Sequence, residues 1–546
     1  RTLDGFGGDS WHFKRAAFVS EWSGYALVKV GPLVAGWEKV SLENQKNVHG
    51  RGPTGTKRPP GAQSPFDPAV GDCGCAKGMM RSSFHILNAA VTLRDTPLFY
   101  TPPVGPEIAF TFTYNEKADT QPNPFTFSNV GQKWSFNWGD WMDEPTAQMQ
   151  VHLGSGGTLP LANSSGNSWT SAIDGSITVF DPALIGYTCT YLDGSRKIYG
   201  KTANSVVGAS PNRKFLISSE TNAQGISLVY AYDIYSRLTS IIDGSGKTTN
   251  LYYEIPFYST LVSRIVDPYN RTCSVAYESG RLSSITDAVG MVSSVTYEIS
   301  SDVVASMTTP YGTTVFKRGS DSGTASTAKN WVEAYDPNGD VTRIEYIQGV
   351  TPSPEPTTSL PLSPPGLPWE LGYDQWRNVF YWDKKAMKRA YFNSDGTASA
   401  SRYNSAVCYH FLHGQNSAFS TTQAQFETGR MLESVKYPNA ARIRYAYPGQ
   451  TRSSYDSNVT LGTPSWIATV VEDATGNPIS QVTKNTFDTS GRLLTSTDPA
   501  NRVTRYTYSA AGDLSKVELQ TSAGVFSTLT NVLYNAQHLP TQVTDA

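Results

Sequence analysis

Tyr277-Glu278-Ser279-Gly280-Arg281-Leu282-Ser283-Ser284-Ile285-Thr286-Asp287 returns near the end of the chain as Phe487-Asp488-Thr489-Ser490-Gly491-Arg492-Leu493-Leu494-Thr495-Ser496-Thr497-Asp498. A third copy, Tyr232-Asp233-Ile234-Tyr235-Ser236-Arg237-Leu238-Thr239-Ser240-Ile241-Ile242-Asp243, keeps the frame and loses only the glycine. Each unit is an aromatic with an acid, a turn, Arg-Leu, a short alternating segment and a closing Asp. Self-similarity over a few tens of residues decides architecture before any single residue decides function. This chain is a repeat protein.

The aromatics give the period. Tyr232, Tyr253, Tyr277 and Tyr297 lie 21, 24 and 20 residues apart, and Asp243, Asp267 and Asp287 lie 24 and 20 apart. The intervening runs, such as Met291-Val292-Ser293-Ser294-Val295-Thr296-Tyr297, alternate with period two and are rich in β-branched and aromatic residues, which predicts half-buried strands. Asp and Asn close turns on their own backbone, and Gly supplies the positive φ of a tight hairpin. One period therefore predicts two strands and two turns. A lone hairpin is marginal, so the units are expected to join edge to edge into one sheet. Weaker copies at Glu333–Thr342, Thr428–Asn439, Asn501–Leu514 and Tyr534–Ala546 extend the array. The last is cut just after its closing Asp, which implies that the array continues.

These units resemble the YD repeats of the Rhs family, which includes polymorphic-toxin shells, shell components of insecticidal toxin complexes and animal teneurins. The signature reads Tyr-x-x-x-Gly-Arg-Leu-x-x-(Ile/Val)-Thr-Asp. The segment ahead of it, Asn88–Asp95, Phe110–Asn115 and Gly131–Phe136, is similar to the lead-in of an Rhs shell, with Gln132-Lys133 standing where the family has a second Gly. Tyr191–Tyr199 resembles the strands that follow that lead-in. The resemblance covers Val91 to Ala546, with diverged stretches at Ser301–Asn330 and Ser394–Gln425. It implies an all-β fold: a spiralling antiparallel β-sheet of YD hairpins forming part or all of a hollow shell around a toxin or other cargo. It implies no chemistry in the repeats. The self-cleaving core segment and variable effector domain that follow the repeats in such shells are absent from these 546 residues.

Composition is compatible with this reading. Charged residues make up 16% and the formal net charge is −2, which leaves no electrostatic footprint for nucleic acid. No apolar run reaches the ~18 residues of a membrane span. The chain opens at Arg1 without a signal peptide, read as a processed or trimmed end. Five cysteines are too few for a disulfide scaffold. Cys73-Gly74-Cys75 is compatible with free thiols, a strained local pair, a metal or a link to another chain. Sequons at Asn163, Asn270 and Asn458 matter only in a glycosylating host. Family and composition favour an extracellular or cell-surface location.

The organisation expected is an irregular extension over 1–70, a β-rich lead-in over 71–200 acting as plug or shell start, and repeat blocks over 201–350 and 369–546. A strap over 351–368 joins the blocks, because a proline-rich run cannot be a central strand.

Candidate chemistry is sparse. Cys408, His410 and His413 place three metal donors within six residues. Cys408 and His410 would share a strand face, His413 would need a turn, and no Cys-x2-Cys supplies a second pair. Asp336, Asn338 and Asp340 imitate the start of a calcium loop but lack the Gly at the sixth position and the acid at the twelfth. An Asx-Pro turn accounts for the same residues. Gly244–Thr248 is too short for a phosphate loop. The recurring acids read as turn chemistry. Trp134, Trp138 and Trp141 with Phe136 read either as a carbohydrate platform or as core packing. The repeat residues Tyr232, Asp243, Tyr277, Gly280, Arg281, Asp287, Phe487, Gly491, Arg492 and Asp498 read as structural.

The expectation is a non-enzymatic structural protein without cofactor, enclosing an effector or assembling with neighbouring copies. The other reading is an adhesin or extracellular-filament subunit that binds surface glycans or itself. About fifteen units of ~22 residues follow Val207, few for a closed cocoon, so either the array extends or several chains assemble.

Overall fold

The computed structural model describes residues 69–70 and 78–545, apart from 88, 119–120, 144–148, 172–174, 192, 204–212, 322–328, 348–376, 390–402, 414–427, 439, 451–458, 473–477, 490 and 537. The extension over 1–70 (save its last two residues), Cys73, Cys75 and the strap at 351–368 thus lie outside the described residues. The described strands all pair antiparallel, with one described helix, Lys384–Arg389.

The lead-in divides between two sheets. Ala69–Val70, Arg81–His85, Ala90–Tyr100, Ile108–Asn115 and Trp134–Phe136 pair in sequence order as a five-stranded inner sheet. From Trp141 onward the chain builds the large sheet. Its first strands run from Trp141–Asp143 through Met149–His152, Thr158–Ser165, Ser168–Thr170, Ile177–Asp181 and Gly186–Thr190 to Arg196–Tyr199. They close into a ring where Lys214–Leu216 pairs back onto Trp141–Asp143. Closure removes an edge that would otherwise need covering. From Ser219–Thr221 to Pro540–Asp545 each described strand pairs with the next in a continuous meander.

The inner sheet sits against the large one, and their facing side chains make one core. Phe84, Phe110, Phe112, Tyr114 and Trp134 from the inner sheet pack with Leu238, Ile241, Leu282, Ile285 and Val304 from the meander. Period-two alternation delivers this: along Thr272–Glu278, Cys273 and Val275 are buried while Ser274 and Ala276 are exposed. Polar contacts fix the layers together. Tyr114 accepts from the Val304 N–H at 3.0 Å, and Arg318 pairs with Glu116 at 3.1 Å.

The hairpin grammar repeats one geometry in six copies. The phenols of Tyr232, Tyr253, Tyr277, Tyr297, Tyr447 and Tyr508 donate to the carbonyls of Ile217, Leu238, Val262, Leu282, Leu432 and Leu493, each fifteen residues earlier, at 2.6–3.0 Å. Arg237, Arg281 and Arg492 lie over the rings of Tyr253, Tyr297 and Tyr508 at 5.0–5.1 Å, within cation–π range. The Arg-Leu pair therefore has two jobs. Its Arg covers the tyrosine of the following strand pair, and its Leu supplies the carbonyl that tyrosine needs.

Candidate functional site

The acids of the repeat are turn residues. Oδ1 of Asp243 accepts the N–H groups of Ser245 and Lys247, Oδ1 of Asp287 those of Val289 and Met291, and Oδ1 of Asp498 those of Ala500 and Arg502, all at 2.8–2.9 Å. Asp488 holds Arg492 in the same way. Burial works against the charge on Asp243. The Ser245 hydroxyl and the backbone N–H groups of Lys247 and Ser245 outweigh it and hold the carboxyl below the ordinary carboxylate range.

These turns also seat the inner sheet. Tyr100 donates to Asp243 Oδ2 at 3.0 Å, the Ala288 N–H donates to the Pro97 carbonyl at 3.2 Å, and Arg271 donates to the Phe99 carbonyl at 2.8 Å. One rim of the large sheet is thus the socket for the strand Ala90–Tyr100. Gly280 (φ +80°) lies on the opposite rim, and a Cβ there would meet the Tyr258 ring at 2.7 Å.

Trp134, Trp138 and Trp141 are all buried, so they do not form an exposed carbohydrate platform. Trp134 donates to the Tyr297 phenol at 2.9 Å, Trp138 packs edge-on to Phe110, and Trp141 stacks on His152 at 3.5 Å. Beside them is a cavity of about 150 Å³ lined by Gln121, Phe125, Trp134, Trp141, His152 and Thr158 among others. Gln121 is committed to the loop itself, donating to the Trp134 carbonyl and accepting from the Lys133 N–H.

Sequence reasoning missed the cluster around Trp141. Its members occupy three adjacent strands at the seam where the ring closes, with Trp141 opposite His152 and Asp143 opposite Lys214. Asp143 accepts from His152 at 2.9 Å and from Lys214 at 2.6 Å, and the Lys214 ammonium lies 4.2 Å from the Trp141 ring. Burial lowers the His152 pKa despite the neighbouring carboxylate, so the imidazole is neutral. Asp143, itself opposed by burial, is held below its ordinary range by His152 and Lys214. The arrangement clamps a seam. No local spacing marks it, since the residues meet only through strand pairing.

The metal candidates have protein partners where their side chains are described. Cys408 and His410 do share a strand face, but Asn378 lies between them: its Oδ1 is 3.6 Å from Cys408 Sγ and 3.1 Å from His410 Nδ1. Nε2 of His410 meets Glu433 at 3.1 Å. His413 closes the strand Val407–His413 opposite Thr428, and its side chain lies outside the described residues. Asp336 Oδ1 accepts the N–H groups of Asn338 and Asp340, while Lys384 and Lys388 pair with Asp336 and Asp340. Among the described residues, no three His, Cys, Asp or Glu side chains gather in a metal-binding arrangement.

A second missed cluster is Arg343, 1% exposed, between Glu333 at 2.8 Å and Glu345 at 2.9 Å, with Tyr403 donating to Glu345. The alternating strand Val341–Ile347 predicts solvent on this side. The helix Lys384–Arg389 and the segment Tyr403–Ala406 cover it instead, packing Ala386, Met387 and Tyr403 with Phe380 and Trp382.

The large sheet's character changes along its length. Among the described residues, the last buried apolar side chain is Ala468. Beyond it the same hairpins continue, with Tyr506, Tyr508, Val517, Val532 and Tyr534 half-buried and nothing among the described residues stacked over them. Among the described residues, no helix is long and apolar enough to cross a membrane.

The RHS repeat family model matches residues 487–525. No curated protein matches the chain. Among solved structures, TcdB2-TccC3 without its hypervariable C-terminal region is 12% identical, with 81% of this chain and 20% of that one covered and a TM-score of 0.31. The Photorhabdus luminescens Tc holotoxin pore with a mutated TccC3 is 13% identical, with 81% and 20% covered and a TM-score of 0.29. The chain spans about a fifth of the length of those chains. The matched segment contains Gly491-Arg492-Leu493 and Tyr508, whose phenol, guanidinium and carbonyl repeat the geometry found at Tyr253 and Tyr297, so this stretch is an RHS, or YD, repeat.

Proposed function

We propose that this chain is a non-enzymatic wall segment of a secreted shell, and that the uncovered face of its C-terminal hairpins holds an apolar, unfolded stretch of cargo. One observation carries this reading. Over Ser227–Thr309 the face bearing Leu238, Ile265, Ile285 and Val295 is filled by the inner sheet, whereas over Leu493–Tyr534 the same face continues with none of the described residues stacked over it. Tyr506 stands where Val295 stands in its own hairpin, two residues before the laddered tyrosine. A half-buried apolar face without a second layer favours an apolar occupant. Clefts with a titrating nucleophile have no part in it; the perturbed groups described above lie in turns, seams and covered strands.

Face-specific photocrosslinking tests it. A fused, unstructured apolar reporter peptide would be challenged with a photocrosslinking residue at Tyr506, on the uncovered face, or at Thr507, on the opposite face. Capture from Tyr506 alone is the expected result. Equal capture from both positions, or none from Tyr506, sinks the proposal.

A further inference from the structure

The strand Ala90–Tyr100 carries one carboxyl in an unusual place. Asp95 is 2% exposed, at the contact between the inner sheet and the large one, and its Oδ1 has no hydrogen-bond partner. Four groups act on it. The Ser293 hydroxyl of the large sheet bonds it; that oxygen already accepts the Met80 N–H at 3.2 Å, so its own proton is free for Asp95. The carboxylate of Asp287, from the turn after Thr286, lies close by, its Oδ1 committed to the Val289 and Met291 N–H groups. The Thr96 N–H bonds Asp95 from its own strand, and the Arg81 guanidinium acts from the neighbouring inner strand.

We propose that this contact is a proton-operated latch: the inner sheet is seated while Asp95 is protonated and loosens when Asp95 ionises beside Asp287. Neutral, the carboxyl sits in a dry layer at little cost. Charged, it is a second anion facing Asp287, with an oxygen that nothing solvates. Burial is the largest influence and Asp287 adds to it, against Ser293, Thr96 and Arg81, so the Asp95 pKa is raised from 3.8 to about 7. Pro97–Ala288 is a backbone bond, and burial drives the Tyr100 phenol far above its ordinary range.

The sign follows from linkage. The folded protein holds a proton that the unfolded chain releases near pH ~4, so the contribution is complete below that pH and declines as pH rises toward ~7. Urea unfolding of the whole chain, followed by fluorescence of the buried Trp134 and Trp138, reads it. The midpoint should fall between about pH 5 and about pH 8, and Asp95→Asn, which carries no titrating group, should remove most of that fall. An equal fall in both proteins overturns the latch. Should Asp95→Asn not fold, infrared spectra of the unchanged chain with ¹³C-labelled aspartate decide. An aspartic-acid carbonyl band lost across the same pH range supports the latch, and no such band at about pH 5 overturns it.

Discussion

Tyr297 and Tyr508 hold the same place in their hairpins and are not equivalent. Both phenols donate to a leucine carbonyl fifteen residues back, at 2.7 and 3.0 Å. Only Tyr297 also accepts from Trp134, at 2.9 Å, and so ties the inner sheet to the ladder. Tyr297→Phe would strand two buried partners, the Leu282 carbonyl and the Trp134 N–H. An unsatisfied buried group costs about 1–3 kcal/mol, so a loss toward the upper end of that range is expected in denaturant titration. Tyr508→Phe strands one carbonyl in a region with no described second layer, and the expected loss is under about 1 kcal/mol. Equal losses would show that the phenol–indole contact contributes nothing. Sequence alone marks both tyrosines as ladder members, since the repeat frame is local. It cannot separate them, because the Trp134 contact joins residues 163 positions apart.

At the scale of the hairpin, the turns were legible and the seams were not. Asp followed by Gly or Asn within a few residues writes the Asx turn in the sequence, as at Asp243 and Asp336. The copy that drops its glycine shows the constraint from the other side, because Ser236 takes φ +61° where Gly491 takes +75°. Ser300 does the same at φ +55° on an exposed tip, where no other contact decides the choice. A left-handed non-glycine residue costs roughly 1–2 kcal/mol, offset in part by the greater chain entropy of glycine when unfolded. Ser300→Gly is therefore expected to raise the urea midpoint slightly. Gly280→Ala should lower it, since the φ penalty is joined by displacement of the Tyr258 ring. Acid should loosen these turns as a class. For Asp233, burial opposes the charge, but the backbone and side chain of Arg237 and the Tyr235 N–H hold its pKa down. Asp498 is held down likewise by Arg502 and the Ala500 N–H. Groups of this kind stabilise the fold above pH ~4 and lose that contribution as pH falls below it. Asp95 acts in the opposite direction, so maximal stability is expected between these two effects. Clusters such as Trp141–His152–Lys214 and Glu333–Arg343–Glu345 had no comparable local signal: strand register assembles the first, and a distant covering segment buries the second.

Across the whole molecule, one hairpin geometry serves two physical situations. From Ser227 to Thr309 the meander has a partner layer, and its inward side chains are almost wholly buried. From Leu493 to Asp545 it has the same ladder bonds, bulges and Asx turns and no described second layer; the strand Val525–Tyr534 alternates only between exposed and half-buried. Hydrogen bonding along the sheet is equal in kind, so any difference in local stability must come from apolar burial, worth roughly 25 cal/mol per Å². Local opening follows that difference, because segments with few buried apolar contacts open at lower free energy. Amide hydrogen exchange separates the cases within a single experiment. Val292–Tyr297 and Val503–Tyr508 are matched strands of six residues with the same laddered tyrosine at their ends. The first should exchange only with global unfolding of the two-layered part, and the second several orders of magnitude faster. A reporter peptide held on the uncovered face would supply the missing layer and slow the second strand while leaving the first unchanged. Equal protection without any peptide would mean that the ladder bonds, and not the second layer, set the stability of the wall.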